Sequence, residues 1–163
     1  MQSTAQSFPC AVHETITGVG VFATQDIAAG ERVLDVNGAM QSHPTRYSIQ
    51  IDLDQHIECH ESLPSDEMRA RYPWRFLNHC CDPNASIVGR TLVARRAIRS
   101  GEQVTFDYTT TEASMAEPFD CRCGAPKCLG RVQGFLTLTA EEQRARAPFV
   151  APHLKSFLPK SGA

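Results

Sequence analysis

The sequence predicts a mostly β domain with a minor helical share, in which several short strands pair with partners far away in the chain. Three observations carry this expectation. Short β-branched or alternating runs recur along the chain, glycine-rich turns separate them, and the helix signals are few and brief. With 163 residues, of which 42% are hydrophobic and 21% charged, the chain has the size of one ordinary domain and can bury a core.

Taken in order, Val12 to Ala23 is β-branched and broken by two glycines, which predicts two strands connected at Gly18-Val19-Gly20. Arg32 to Gly38 reads as a strand ending at an Asn-Gly turn. Tyr47 to Leu53 alternates, so Tyr47, Ile49, Ile51 and Leu53 are expected on one face. Ser65 to Tyr72 opens with an N-cap residue, places acids early and bases late, and stops at Pro73, which predicts a short helix. Ala85 to Ile98 is expected to be a hairpin around Gly89-Arg90, and Gln103 to Tyr108 a strand. The turn Asp26-Ile27-Ala28-Ala29-Gly30-Glu31 has a second copy at Arg99-Ser100-Gly101-Glu102. Thr109 to Phe119 reads as a loop or short helix. Thr139 with Glu142 has the form of a capping box, Pro148 interrupts that helix, Val150 to Leu158 forms further helical turns, and Pro159 to Ala163 frays.

The formal net charge is −2 with the signs interspersed, so neither a basic face for phosphates nor an acidic tail is present, and direct nucleic-acid binding is not expected. Seven cysteines, an odd number, with three inside Cys121 to Cys128, argue for thiolate metal ligands in a reducing compartment rather than a secreted disulfide framework. Met1 to Ser7 lacks a leader pattern, and no run approaches the ~20 apolar residues of a membrane helix. A soluble intracellular protein without membrane attachment is expected, in the cytoplasm or nucleus of a eukaryote or the cytoplasm of a prokaryote.

Three motifs carry chemistry. Arg75-Phe76-Leu77-Asn78-His79-Cys80-Cys81-Asp82-Pro83-Asn84 brings two polar side chains and thiols to a strand end that stops at a turn. Gly101-Glu102-Gln103-Val104-Thr105-Phe106-Asp107-Tyr108 and Cys121-Arg122-Cys123-Gly124-Ala125-Pro126-Lys127-Cys128 follow in that order. Cys121 and Cys123 are too close for an unstrained mutual disulfide but well placed to chelate one ion. Gly124 and Pro126 supply the bend that returns Cys128 to it. Structural zinc is tetrahedral, and Cys81, Cys80, His79, Cys59 and Cys10 all qualify chemically as the fourth ligand.

Asn-His-x-Cys-x-Pro-Asn, Gly-Glu-x-x-Thr-Phe-Asp-Tyr and Cys-x-Cys-x4-Cys together resemble the SET domain of protein-lysine methyltransferases with its zinc-binding post-SET segment. The resemblance runs from about Val12 to Gly130. It implies a β-clip-like fold of several short sheets, with knot-like threading of the C-terminal segment. A SET domain at 8–110, a post-SET segment at 111–133 and a helical tail at 134–163 follow, as a minimal free-standing domain. It selects Cys81 as the ligand that joins Cys121, Cys123 and Cys128 around one structural Zn2+. Cys80 stands where the motif commonly has Ser, and on an extended segment its side chain points away from that of Cys81.

The activity so implied is methyl transfer from S-adenosylmethionine to the lysine amine of a histone tail, a ribosomal protein or another basic protein. Tyr108 would be the catalytic tyrosine, Tyr47 would face the cofactor and lysine channel, and Phe106 would leave room for more than one methyl group. Gly18, Val19, Gly20, Tyr47, Arg75, Phe76, Asn78, His79 and Tyr108 would hold the methyl donor, His79 without acting as a general base. The chain departs from the family in its short insert between Leu53 and Trp74, and at Ile57-Glu58-Cys59, where an apolar residue followed by Asp-Ala is common. Two other classes fit parts of the pattern: a non-catalytic SET-like module that binds an extended peptide by strand addition, and a zinc-thiol redox sensor.

Overall fold

The computed structural model describes residues 7–162, so the expectation drawn from Met1 to Gln6 lies outside them. Twelve strands and two α-helices follow one another among the described residues, with short 3-10 turns between them. They are β1 (Cys10–Thr15), β2 (Gly18–Ala23), β3 (Arg32–Asp35), β4 (Ala39–Gln41), β5 (Ile49–Asp52), β6 (Gln55–Glu58) and α1 (Ser65–Arg71). After these come β7 (Asn78–His79), β8 (Ala85–Val88), β9 (Thr91–Ala94), β10 (Gln103–Phe106), β11 (Phe119–Asp120), β12 (Arg131–Val132) and α2 (Ala140–Arg146). Four small sheets result, ordered β1-β2-β10-β7, β3-β9-β8, β4-β6-β5 and β11-β12. The mostly β prediction holds, and no helix among the described residues is long and apolar enough to cross a membrane.

The first sheet positions the site. β10 lies antiparallel to β2 on one side and parallel to β7 on the other, with Thr105 opposite Asn78 and Phe106 opposite His79. Segments about 60 and 25 residues apart in sequence (Val19, Asn78 and Gln103) thereby meet, and the Asn78 amide donates to the Val19 carbonyl at 2.9 Å. Gly20 keeps this approach open: a Cβ there would stand 3.0 Å from Gln103 Nε2 and 3.1 Å from Asn78 Nδ2, so those side-chain ends would have to shift. Asn84, expected only to make a turn, is buried and stitches β10 from outside the ladder. Its Nδ2 donates to Gln103 O at 2.8 Å and its Oδ1 accepts from Thr105 N at 3.0 Å.

The two Gly-Glu turns sit together. Ile27 and Ile98 form a mutual bridge, Glu31 accepts from Ala28 N at 2.8 Å, and Glu102 accepts from Arg99 N at 2.9 Å. Around them Val21, Val33, Leu34, Leu92 and Val104 are fully buried, each stabilising by about 1.5–3 kcal/mol relative to exposure. A second, smaller core gathers Phe135, Val150 and Leu154 with Ala113, Leu138 and Leu158.

Several local expectations are corrected. The β1–β2 connection is Ile16-Thr17, not Gly18-Val19-Gly20, because the Thr15 hydroxyl accepts from Thr17 N at 3.2 Å and donates to Gly18 O at 2.9 Å, closing the turn early. β3 stops at Asp35, and Asn37-Gly38 carries the chain from one sheet to another instead of back along the same strand. The Tyr47 to Leu53 face is broken: Ile49 is buried, but Tyr47 and Leu53 are exposed and Gln50 is buried, with an irregularity between Gln50 and Asp52. Ser65 lies inside α1, whose N-cap is Pro64 without a side-chain bond. β10 ends at Phe106, and Tyr108 begins a 3-10 turn through Thr110. The cause is Asp107, whose carboxylate caps that turn by accepting from Thr109 N at 3.0 Å. The hairpin at Gly89-Arg90 and the Thr139–Glu142 capping box form as expected.

Replacing Asn84 by Ala leaves two β10 backbone groups without partners and is expected to destabilise the domain by roughly 2–4 kcal/mol. A lowered urea midpoint at unchanged m-value is the readout. An unchanged midpoint means the side chain carries no such load.

Candidate functional site

A cavity of about 950 Å3 opens where β7, the start of β5, the Tyr108 turn and the segment leading into β11 converge. Val19, Tyr47, Arg75, Phe76, Asn78 and His79 line it, and so do Phe106 and Tyr108. Of the residues expected to hold a methyl donor, only Gly18 and Gly20 contribute no wall of their own; they flank Val19.

Asp107 turns the chain so that Tyr108 leaves the strand, and Arg146 locks Asp107 through Nε–Oδ2 at 2.7 Å in a buried pair. The Tyr108 ring then packs against Phe106 at 4.9 Å, His79 at 5.2 Å and Phe119 at 5.8 Å between centroids. Phe106 and Tyr108 are therefore neighbours although they do not share a strand face. The Tyr108 hydroxyl donates to the Leu77 carbonyl. Burial, with the Glu112 charge adding to it and Arg46 opposing, holds this hydroxyl above the usual phenol range, so it stays protonated and acts as a dipole, not a base.

The His79 ring is 2% exposed. Its Nδ1 accepts from Tyr108 N–H at 3.1 Å, which fixes the proton on Nε2, and Nε2 donates to Cys81 Sγ at 3.2 Å. Burial lowers its basicity more than Asp107, 3.7 Å away, raises it. With both ring nitrogens committed to the protein, the main chain of His79 is what remains for a ligand. Asn78 likewise commits its Nδ2 to Val19 O and keeps its Oδ1 free of the bonds that tie the amide to β2.

Arg75 turns toward β6 instead of the Asn78 end. Its Nε meets Glu58 Oε1 at 3.2 Å and its guanidinium lies 4.8 Å from the Tyr47 ring centroid. Glu58, the unusual residue of Ile57-Glu58-Cys59, is buried and satisfied by Arg75, Cys59 N at 2.8 Å and the Thr45 hydroxyl. Tyr47 sits half-exposed at the rim. Sequence reasoning missed Trp74, Phe119 and Glu112, which also line the cavity, and the contact of the C-terminal tail with its back wall. Ala151 N donates to Thr110 O and Phe135 N to Glu112 O, both at 2.8 Å. The tail carries no motif that could have hinted at this coupling.

The Sγ atoms of Cys81, Cys121, Cys123 and Cys128 all lie within 4.8 Å of one another, with Cys81 and Cys121 at 3.9 Å. Tetrahedral zinc with Zn–S bonds near ~2.3 Å needs sulfurs about 3.8 Å apart, so the donor set fits the ion. Burial pushes the Cys81 thiol up, and that of Cys121 up to about 11. Against its own burial, hydrogen bonds from neighbouring groups bring the Cys123 thiol down to about 6, so one thiolate forms readily, and the further charge that Cys81 and Cys121 resist is what a divalent cation would neutralise. Of the candidate fourth ligands, Cys81 is the one whose sulfur is grouped with the trio. Cys80 turns to the Asp82 carbonyl at 3.4 Å, and Cys10 packs apart, near Val33 O, with burial raising its thiol to about 12. Cys121 and Cys123 also line the cavity, so the cluster is one of its walls.

Comparison with known proteins matches the SET domain family to residues 18–109. Histone-lysine N-methyltransferase ash1 of Drosophila melanogaster is 32% identical over 131 residues, covering 72% of this chain and 6% of that protein. An H3 lysine-36 specific histone-lysine N-methyltransferase of Yarrowia lipolytica is 34% identical over 132 residues, 72% of this chain and 17% of that protein. Methyltransferase flvH of Aspergillus flavus is 32% identical over 87 residues, 51% of this chain and 48% of that protein. The chain thus spans less than half the length of each. Among solved structures, KRYPTONITE in complex with DNA, an H3(1-15) peptide and SAH superposes with a TM-score of 0.57 at 23% identity, over 78% of this chain and 31% of that one, which establishes a shared fold.

Elemental analysis of purified protein is expected to give one zinc per chain, lost in Cys121→Ser, with the near-ultraviolet circular dichroism of the Phe119 wall collapsing on chelation. Zinc retained in full by that variant rules out the tetrad.

Proposed function

The chain belongs to the SET-domain family, and on that footing we propose that it transfers methyl groups from S-adenosylmethionine to the side-chain amine of a lysine in a protein substrate. The observation that carries this reading is the convergence of Val19, Asn78-His79 and Tyr108 on one cavity whose wall includes Cys121 and Cys123 of a thiol tetrad. Histone tails are the first candidates, since ash1 and the Yarrowia lipolytica relative are named histone-lysine methyltransferases and KRYPTONITE was solved with an H3 peptide. Residues 8–110 act as the SET domain, 111–133 as the zinc-binding post-SET segment and 134–163 as a tail bracing it. A nuclear or cytoplasmic location suits free thiols and such a substrate.

The donor supplies an activated methyl group on a sulfonium sulfur. What this chain contributes is position and desolvation. The main chain of Val19 and His79 and the free Asn78 oxygen hold the donor at the β2–β7 end; Arg75 and Phe76 shape the adjoining wall. Tyr47, Phe106, Tyr108 and Phe119 enclose the amine. A lysine with pKa near 10.4 is uncharged in only about one molecule in a few thousand at pH 7, so an apolar passage that penalises the ammonium raises the reactive fraction. The protonated Tyr108 hydroxyl, anchored on Leu77 O, orients the methyl group and amine in line. Cys81, Cys121, Cys123 and Cys128 would hold a structural zinc ion that fastens the Cys121 to Cys128 segment over the cavity.

Phe106 is buried with its ring 4.9 Å from that of Tyr108. A phenyl group here leaves a space that a hydroxyl would fill, which permits more than one methyl group on the amine.

Incubation of the protein and labelled S-adenosylmethionine with core histones and with a proteome extract is expected to label lysine. Tyr108→Phe should lower the rate about a hundredfold while the donor still binds. Donor binding without label on any protein overturns catalysis and leaves a peptide-holding module. Phe106→Tyr is expected to shift products toward monomethyl-lysine, and an unchanged mono-, di- and trimethyl ratio by mass spectrometry removes that role.

A further inference from the structure

Three carboxylates are buried in this domain, Glu58, Asp107 and Glu112. Two have a cation: Arg75 at 3.2 Å from Glu58 and Arg146 at 2.7 Å from Asp107. Glu112 forms no ion pair among the described residues. Its Oε1 accepts from Gln50 N–H at 2.7 Å and from the Thr111 hydroxyl at 3.3 Å, while its Oε2 bonds to nothing among the described residues. Among the described residues, the buried side-chain atoms sealed from solvent without a partner are His56 Nδ1 and His153 Nδ1. Oε2 is therefore not sealed, and the space Glu112 lines is the cavity of Tyr47, Phe106 and Tyr108.

The carboxylate is also held firmly. Glu112 N donates to Tyr108 O at 2.9 Å, its carbonyl accepts from Phe135 N at 2.8 Å, and next to it Ala113 N donates to Gln50 Oε1 at 2.8 Å. A fixed acid facing an apolar passage without a counter-ion is costly to keep charged. Burial accordingly raises the Glu112 carboxyl to about 7, the range in which a proton acceptor works best at neutral pH.

We propose that the free oxygen of Glu112 receives the ammonium of the substrate lysine and takes its proton, so that an uncharged amine meets the methyl donor. This rests on the methyltransferase reading above. A buried ion pair keeps two charges out of water whereas the neutral pair keeps none, so enclosure drives the proton from nitrogen to oxygen. One N–H bond breaks, its electron pair stays on nitrogen, and an O–H bond forms at Oε2. The nitrogen pair then forms the new N–C bond as the C–S pair departs on the donor sulfur, and the positive charge passes from sulfur to nitrogen. Glu112 returns its proton to solvent through the cavity mouth before the next turnover.

The other titratable groups around Glu112 are Tyr108 on its own turn, Arg46 at the rim with Glu117 at 3.7 Å, His56 opposite Gln50 on β6, and His153 on the Thr111 carbonyl. Glu112→Gln keeps these residues and an acceptor for Gln50 N–H; the charge it removes also acts on the Tyr108 hydroxyl, but that group titrates well above neutrality, so a lost limb near pH 7 belongs to Glu112.

The test is kcat/KM against pH at saturating labelled S-adenosylmethionine, with core histones or the protein most heavily labelled in the extract. Donor affinity and melting temperature are measured alongside. Wild type is expected to rise with pH through about 7, as the carboxylate ionises, and then level off. Glu112→Gln should be about a hundredfold slower at neutral pH, and the gap should close toward about pH 10, where solvent itself supplies the neutral amine. Glu112→Asp keeps an acid in place and should keep a displaced limb. Its loss overturns the proposal even if Glu112→Gln does not fold. An equal deficit of Glu112→Gln at every pH, or no deficit, also overturns it while methyl transfer stands. A wild type that binds the donor yet labels nothing overturns the methyltransferase reading and this inference with it.

Discussion

One buried imidazole joins the parts of this molecule that matter. His79 accepts a hydrogen bond from the main-chain N–H of Tyr108 at one nitrogen and donates one from the other to Cys81. The turn carrying the tyrosine and the cluster able to hold a metal therefore share a single rigid ring. It is placed by the parallel pairing of β7 with β10, the contact on which both depend. Such pairing between distant segments is slow to form and has no local substitute. The ring is one of the few devices that can satisfy an amide and a thiolate at once in a dry place, and metal-bound thiolates gain from such a donor.

The same economy governs the acids. Asp107 caps the Tyr108 turn and binds Arg146, so the C-terminal helix reaches into the cavity wall through an ion pair. Glu58 gathers Arg75, Thr45 and Cys59 N, and through Arg75 it steadies Tyr47 at the rim. Breaking either pair would leave an uncompensated charge in the interior, which is more damaging than the pair is stabilising. Glu112 stands apart because its neighbours satisfy one oxygen and leave the other to the cavity.

The back wall is braced from behind by a segment without any motif. The small core of Phe135, Val150 and Leu154 presses residues 108–113 against β5, with His153 and Ala151 bonding to successive carbonyls of that stretch. A tail that looks like an appendage in sequence thus supports the segment that lines the pocket. Its polar helix carries only a capping box, and its apolar residues are too sparse to reveal a target.

Residue spacing alone sufficed for the three motifs, the thiol trio, the hairpin at Gly89-Arg90 and the capping box at Thr139, because each depends on groups within a few residues of one another. Resemblance supplied Cys81, and proximity of the sulfurs agrees with it. Where local rules misled, a side chain had intervened: Thr15 closed its turn early, Asp107 ended β10 before Tyr108, and Gln50 was drawn inward by Glu112 and Ala113. The sequence by itself determined which chemistry is present and the order in which it arrives. Only the tertiary structure decided which polar atoms are spent on the protein and which are left for a ligand, because buried donors and acceptors are matched across distances that no local pattern encodes.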